Sequence, residues 1–152
     1  MPTVTVQQDC SAPAEDLWRL ATDLQNAPDV IPAITATTVH TDGEFGVGTR
    51  WTETRTMFGR AADETMTVTA VEPGRSYTAE AESSGMHYVT RWDIDPTDAG
   101  SRVTMTFSGE PTGTVGRLLS PVMTVLMSRS VESAMRTDMA ALAAAAEQRA
   151  GR

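Results

Sequence analysis

The sequence predicts an α+β fold, with one antiparallel sheet of about seven strands covered by a single long C-terminal helix and two short helices after the first strand. Three observations predict it. Between Ala33 and Glu110, side-chain character alternates with a period of two in short runs. Turn pairs such as Gly59-Arg60 and Pro73-Gly74 separate those runs. From Val115 to Arg149 the apolar period lengthens to that of a helix.

Thr3 to Cys10 sets Val4 and Val6 against Thr3, Thr5 and Gln7, the pattern of a half-buried strand. Ser11-Ala12-Pro13 breaks it. Proline suits a first helical turn, and Glu15 and Asp16 suit the positive end of a helix dipole. Leu17, Leu20, Ala21 and Leu24 then predict a helix over Ala14 to Leu24. Asn26-Ala27-Pro28 and Ile31-Pro32 punctuate a short second helix or turn.

Strands are expected at Thr35 to Thr41, Arg50 to Phe58, Ala61 to Val71, Ser76 to Ser83, His87 to Ile94 and Arg102 to Ser108. The connections make an antiparallel meander. After Pro111-Thr112-Gly113, the residues Leu118, Leu119, Val122, Leu126, Val131, Met135, Met139 and Leu142 mark the apolar stripe of the last helix. Pro121 lacks a backbone donor and should split a short entry helix from the long one.

Length and charge narrow the function. A chain of 152 residues is the size of one domain and can bury a core without staples. Its net charge of −8 and the absence of a basic cluster argue against nucleic acid and against anionic membranes. Cys10 is the only cysteine, so no intramolecular disulfide is possible. No basic stretch leads an apolar run at the N-terminus, and no window approaches the ~18 apolar residues of a spanning helix. The expectation is a cytoplasmic, single-domain protein over residues 1–152, without stable membrane insertion and without cofactor or metal.

In their order, several segments resemble the START-like, helix-grip (SRPBCC) superfamily, in its polyketide cyclase/dehydrase and lipid-transport branch. They are Ala12-Pro13-Ala14-Glu15-Asp16-Leu17-Trp18, Gly46-Val47-Gly48-Thr49-Arg50-Trp51, the hairpin Arg55 to Arg60, Thr67 to Pro73, and Gly116-Arg117-Leu118-Leu119-Ser120-Pro121. The resemblance implies a sheet curved around the long helix with a ligand cavity between them. It departs at Val30-Ile31-Pro32, where the branch often has Trp-Leu-Pro.

The strand faces describe that cavity independently. Trp51, Glu53, Arg55 and Met57 share one face of their strand. Glu64, Met66, Val68 and Ala70 share one on the next. Tyr77, Ala79 and Ala81 share another, as do Tyr88, Thr90, Trp92 and Ile94, and Val103, Met105 and Phe107. If these faces point inward, the cavity candidates are Trp51, Glu53, Arg55, Glu64, Met66, Tyr77, Tyr88, Trp92, Met105 and Phe107, with Met123, Leu126 and Met135 from the helix. The bland alternative is a filled core, since such stripes are usually packing. Glu53, Arg55 and Glu64 are the exceptions, because charges on an apolar face must be paired or wet. They either orient a polar ligand group, or are turned to solvent by strand twist or a bulge, or form a structural ion pair at the cavity mouth.

Other chemistry is poorly supported. His40 and His87 lack metal-ligand spacing, and His87 is expected on the outer face. Gly43-x-x-Gly46-x-Gly48 lacks the Gly-Lys-Ser/Thr ending of a phosphate loop. Three functions compete. The first is a carrier or binding protein for a small hydrophobic or aromatic molecule. The second is a polyketide cyclase or dehydratase using Glu53, Arg55, Glu64, Tyr77 and Tyr88. The third is a regulatory or stress protein acting through a protein partner. A homodimer is compatible with all three, and no single residue is singled out as catalytic.

Overall fold

A computed structural model describes residues 3–57, 59–83, 85–112 and 121–151, with side chains throughout except at Met57 and residues 121–128. In β1 (Thr3–Cys10) the alternation buries Val6 and Cys10 and exposes Thr3, Thr5 and Gln7. Helix α1 (Ala14–Thr22) carries Glu15 and Asp16 in its first turn and buries Leu17, Leu20 and Ala21. It stops short of the expected Leu24. Asp23 leaves the helical region at φ −85° and ψ 73°. Its carboxylate accepts from the Asn26 amide at 2.9 and 3.1 Å. This local side-chain bonding competes with helix continuation. Leu24–Asn26 form a 3-10 turn instead, and the single turn α2 (Ala27–Val30) follows with Pro28 near its start.

The meander consists of β2 (Ile34–Val39), β3 (Arg50–Met57), β4 (Arg60–Glu72), β5 (Ser76–Ser83), β6 (Met86–Thr97) and β7 (Gly100–Pro111). The seven strands form one antiparallel sheet in the order β1-β7-β6-β5-β4-β3-β2. Strands β6 and β7 both run further than their alternation predicts, β6 passing through Pro96. That proline lies beyond the end of β5, where β6 has only β7 beside it. A missing backbone donor is tolerated there.

One inward face is corrected. The β4–β5 register slips between Val68 and Ala70, so Thr69 is an extra residue. Beyond it Ala70 turns outward and is exposed. Val71, paired with Tyr77, packs inward instead.

Helix α3 (Pro121–Ala150) begins at the proline, and the expected entry helix over 115–120 lies outside the described residues. Its buried stripe includes Met135, Met139, Leu142, Ala143 and Ala146. These pack on Val6, Leu17, Leu20, Ile94 and Val103 in one cluster. A second cluster (Leu24, Trp51, Val68, Tyr77 and Ala79) lies over the other half of the sheet. Gly100 permits the junction of β1 and α1 to close against the β6–β7 hairpin. Its φ is +148°, and a Cβ there would stand 2.4 Å from the Cys10 carbonyl oxygen. Beside it, the buried Ser101 hydroxyl donates to the Ala12 carbonyl at 2.7 Å. Sheet and long helix together make the helix-grip fold.

Candidate functional site

Register explains why a space exists between sheet and helix. One inward row crosses the sheet as Val71, Tyr77, Trp92, Met105 and Val6. The next runs Val68, Ala79, Thr90, Phe107 and Val4. The first row is bulky, and Tyr77 stacks on Trp92 with centroids 5.6 Å apart and planes within 13°. The second is small at its centre, where Ala79 faces Thr90. Large walls around a small floor leave a cavity of about 180 Å³.

The floor and walls include Trp51, Met66, Tyr77, Ala79, Trp92, Met105 and Phe107 from the sheet. Leu20, Leu24, Ile31 and Ile34 close one side, and Val131, Met135 and Leu142 of α3 form the roof. Tyr88 does not line the cavity. It stacks on Phe107 at 5.4 Å, lying over Gly109, where a Cβ would come within 3.1 Å of its ring. The side chains of Met123 and Leu126 lie outside those described.

Charge is gathered at one end. Glu53, Arg55 and Glu64 all line the cavity, with Asp138 of α3. Arg55 donates from Nη1 to Asp138 Oδ2 at 2.8 Å, and Nη2 lies 3.5 Å from Glu53 Oε1. Trp51 Nε1 donates to the other Glu53 oxygen at 3.5 Å. Glu64 stands directly opposite Glu53 across the β3–β4 ladder. Two of the three carboxyl groups, those of Glu53 and Asp138, thus contact one guanidinium, and Glu64 stands beside them.

The environment moves all three carboxyl groups in one direction. Burial pushes Glu53 above the ordinary glutamate value, against the pull of Arg55. Burial, then the Glu53 charge, raises Glu64. Burial raises Asp138, again opposed by Arg55. Such carboxyl groups hold protons to higher pH than exposed ones. Tyr77 is different. Its buried hydroxyl donates to the Ala21 carbonyl at 3.3 Å, and burial lifts its ionisation well above the usual phenol range. It serves as a neutral brace for the last turn of α1. Burial first, then Glu64, raises Tyr88.

Asp138 escaped the sequence reading. A signal was present, since Asp138 lies three residues after Met135 and four before Leu142 on the apolar stripe of the helix. The histidines stand apart from the cavity. His87, on the outer face, pairs with Glu80 at 2.8 Å, and exposed His40 with the Thr52 hydroxyl at 2.7 Å. In the loop before β3, Gly48 has φ +94°, a turn geometry that suits glycine. Among the described residues, no cluster of His, Cys, Asp or Glu is arranged to hold a metal, and no helix is long and apolar enough to cross a membrane.

Comparison with known proteins agrees with this architecture. The family model described as polyketide cyclase / dehydrase and lipid transport matches residues 1–147. The aromatase/cyclase Zhui from Streptomyces sp. R1128 superposes with a TM-score of 0.77 at 19% identity, covering 97% of this chain and 94% of that one. The di-domain aromatase/cyclase StfQ of the steffimycin biosynthetic pathway gives 0.81 at 13% identity, covering 99% of this chain and 52% of that one. Ara h 8.0201 gives 0.67 at 15% identity, covering 93% and 97%. No curated protein matches significantly in sequence.

Proposed function

The chain belongs to the polyketide cyclase/dehydrase and lipid-transport family, and from that premise we propose that its cavity holds one small apolar or aromatic molecule, lipid- or polyketide-like. A polar group of that molecule is directed at Glu53, Arg55 and Glu64. The observation that carries this reading is the segregation of the lining. Aromatic and aliphatic side chains enclose the space, and the charged groups occupy one end. A cavity of about 180 Å³ exceeds the ~150 Å³ apolar cavity that takes up benzene, so rings of one or two units set the size class.

The test is a titration with naphthalene-sized aromatics, fatty acids and sterols, followed by tryptophan fluorescence. Trp51 and Trp92 line the cavity and report directly. Saturable change with one class, at roughly micromolar concentration or below, is the expected result. No response from any class, with a native circular dichroism spectrum, sinks the proposal and redirects attention to a protein partner.

One feature favours a cyclase or dehydratase as a second reading. Glu64 opposes Glu53, and both hold protons above the ordinary range. A protonated carboxyl group could donate to a ketone oxygen as a carbon of the same chain attacks, while an ionised neighbour removes the proton from that carbon. Glu53→Gln and Glu64→Gln separate the readings. An enzyme loses turnover in either variant, whereas a carrier loses only modest affinity.

A further inference from the structure

A second recess adjoins the cavity. It is a cleft of about 260 Å³, lined by the hydroxyl residues Thr56, Ser130, Ser133 and Thr137. Arg55, Ala134 and Asp138 belong to both spaces. The two recesses therefore share a wall, in which the Arg55–Asp138 ion pair is the polar part and the Ala134 methyl the low part. On one side the lining is mainly aromatic and aliphatic. On the other it is hydroxylated.

The chemistry of the cleft selects its occupant. Serine and threonine hydroxyls both donate and accept. Arg55 is already engaged by Asp138 at 2.8 Å and by Glu53 at 3.5 Å, so among the described residues lining the cleft no free cation awaits an anion. The chain's net charge of −8 disfavours anions further. Asp138, in turn, has its countercharge. A neutral group rich in hydroxyls fits.

We infer that this cleft is a second subsite of the same ligand, taking the neutral, hydroxyl-bearing end of a molecule whose apolar ring body lies in the inner cavity and whose chain passes over Ala134. The inference rests on the proposed function above and specifies its ligand as amphipathic.

Two probes test it by calorimetry: 2-methoxynaphthalene, and the glyceryl ether of 2-naphthol, which keeps the same ring and carries two hydroxyls on its ether chain. The glyceryl ether should bind the native protein about tenfold more tightly, the worth of one or two hydrogen bonds. Ser133→Phe fills the cleft from an exposed helix position. It should abolish that preference and leave 2-methoxynaphthalene within about twofold of its native affinity. Thr137→Phe, at another exposed helix position that lines the cleft and not the inner cavity, should act alike and serves if Ser133→Phe fails to fold. Equal affinity of the two probes for the native protein overturns the second subsite while the cavity reading stands. A preference that survives in folded Ser133→Phe also overturns it. If neither probe binds, the cavity reading fails and this inference with it.

Discussion

Arg55 of β3 and Asp138 of α3 are 83 positions apart in sequence, and their side chains meet at 2.8 Å at the charged end of the cavity. The contact ties the helix to the half of the sheet that its apolar stripe does not cover. Their side chains are only 21% and 6% exposed, so the pair is not of the weak surface kind.

Removing one partner should therefore be costly. Asp138→Ala leaves Arg55 with Glu53 alone at 3.5 Å. The expected loss is about 2–3 kcal/mol in urea unfolding, mostly the desolvation of an unpaired charge. Asp138→Asn, which keeps an acceptor, should lose less. A loss below about 0.5 kcal/mol for the alanine variant would place the pair with surface bridges.

The carboxyl cluster should make stability fall as pH rises. Glu53, Glu64 and Asp138 all ionise above their ordinary values in the folded chain. From the ordinary carboxyl values upward, 3.8 for Asp138 and 4.5 for the two glutamates, the folded state holds more protons than the unfolded one. Each group's penalty is absent below its ordinary value and complete once pH passes its folded value. Glu80 has the opposite sign, since hydrogen bonds from Thr69 and His87 lower it, and its contribution is lost at more acidic pH. His87, raised chiefly by its bond to Glu80, adds to the decline near neutrality. Glu64→Gln isolates the cluster. Urea midpoints at about pH 5 and about pH 8 should differ less in this variant than in the native protein. Equal differences would mean that Glu64 ionises normally.

Filling the floor of the cavity should separate binding from folding. Ala79 is buried and faces Thr90 where the lining is smallest. Ala79→Phe should reduce aromatic-ligand affinity at least about tenfold, with a stability change within the ~1–3 kcal/mol of overpacking. Undiminished binding by a folded variant would move the ligand elsewhere.

Gly100→Ala should be among the most damaging single-methyl additions. The new Cβ would lie 2.4 Å from one backbone atom and 2.6 Å from another, neither able to swing aside. We expect a loss of about 2 kcal/mol or more by thermal unfolding. A native-like melting temperature would mean that the Cys10–Ser11 backbone shifts freely.

Much of the architecture was legible because periodicity reports burial directly. Trp51, Tyr77, Trp92, Met105 and Phe107 were placed on inward faces by a period of two, and they do face inward. Ala70 was not, because a bulge is a property of pairing with β5 and leaves no mark in the composition of β4. The end of α1 was misjudged because Leu24 kept the helical spacing, whereas Asp23 and Asn26 bonded to one another and turned the chain. Tyr88 alternated correctly but stands one pair too far along the sheet, beside Gly109. Asp138 was hidden by its own neighbours. It sits next to Arg136 and Thr137, and only its offset from Met135 and Leu142 on the apolar stripe marks it as inward-facing.

The placement of β1 has a consequence for the order of assembly. Strands β2 to β6 each pair with the strand next in sequence, so hairpins can form one after another as the polypeptide is synthesised. Among the described residues, strand β1 pairs only with β7, where Val6 meets Met105. It must wait, unpaired and β-prone, until that strand has emerged. Val6 then joins the cluster that α3 covers, so closure of the sheet and docking of the helix fall together at the end. A nascent chain halted before β7 would expose both β1 and the bare inward face of the meander, the state in which this protein is most open to aggregation or to capture by chaperones.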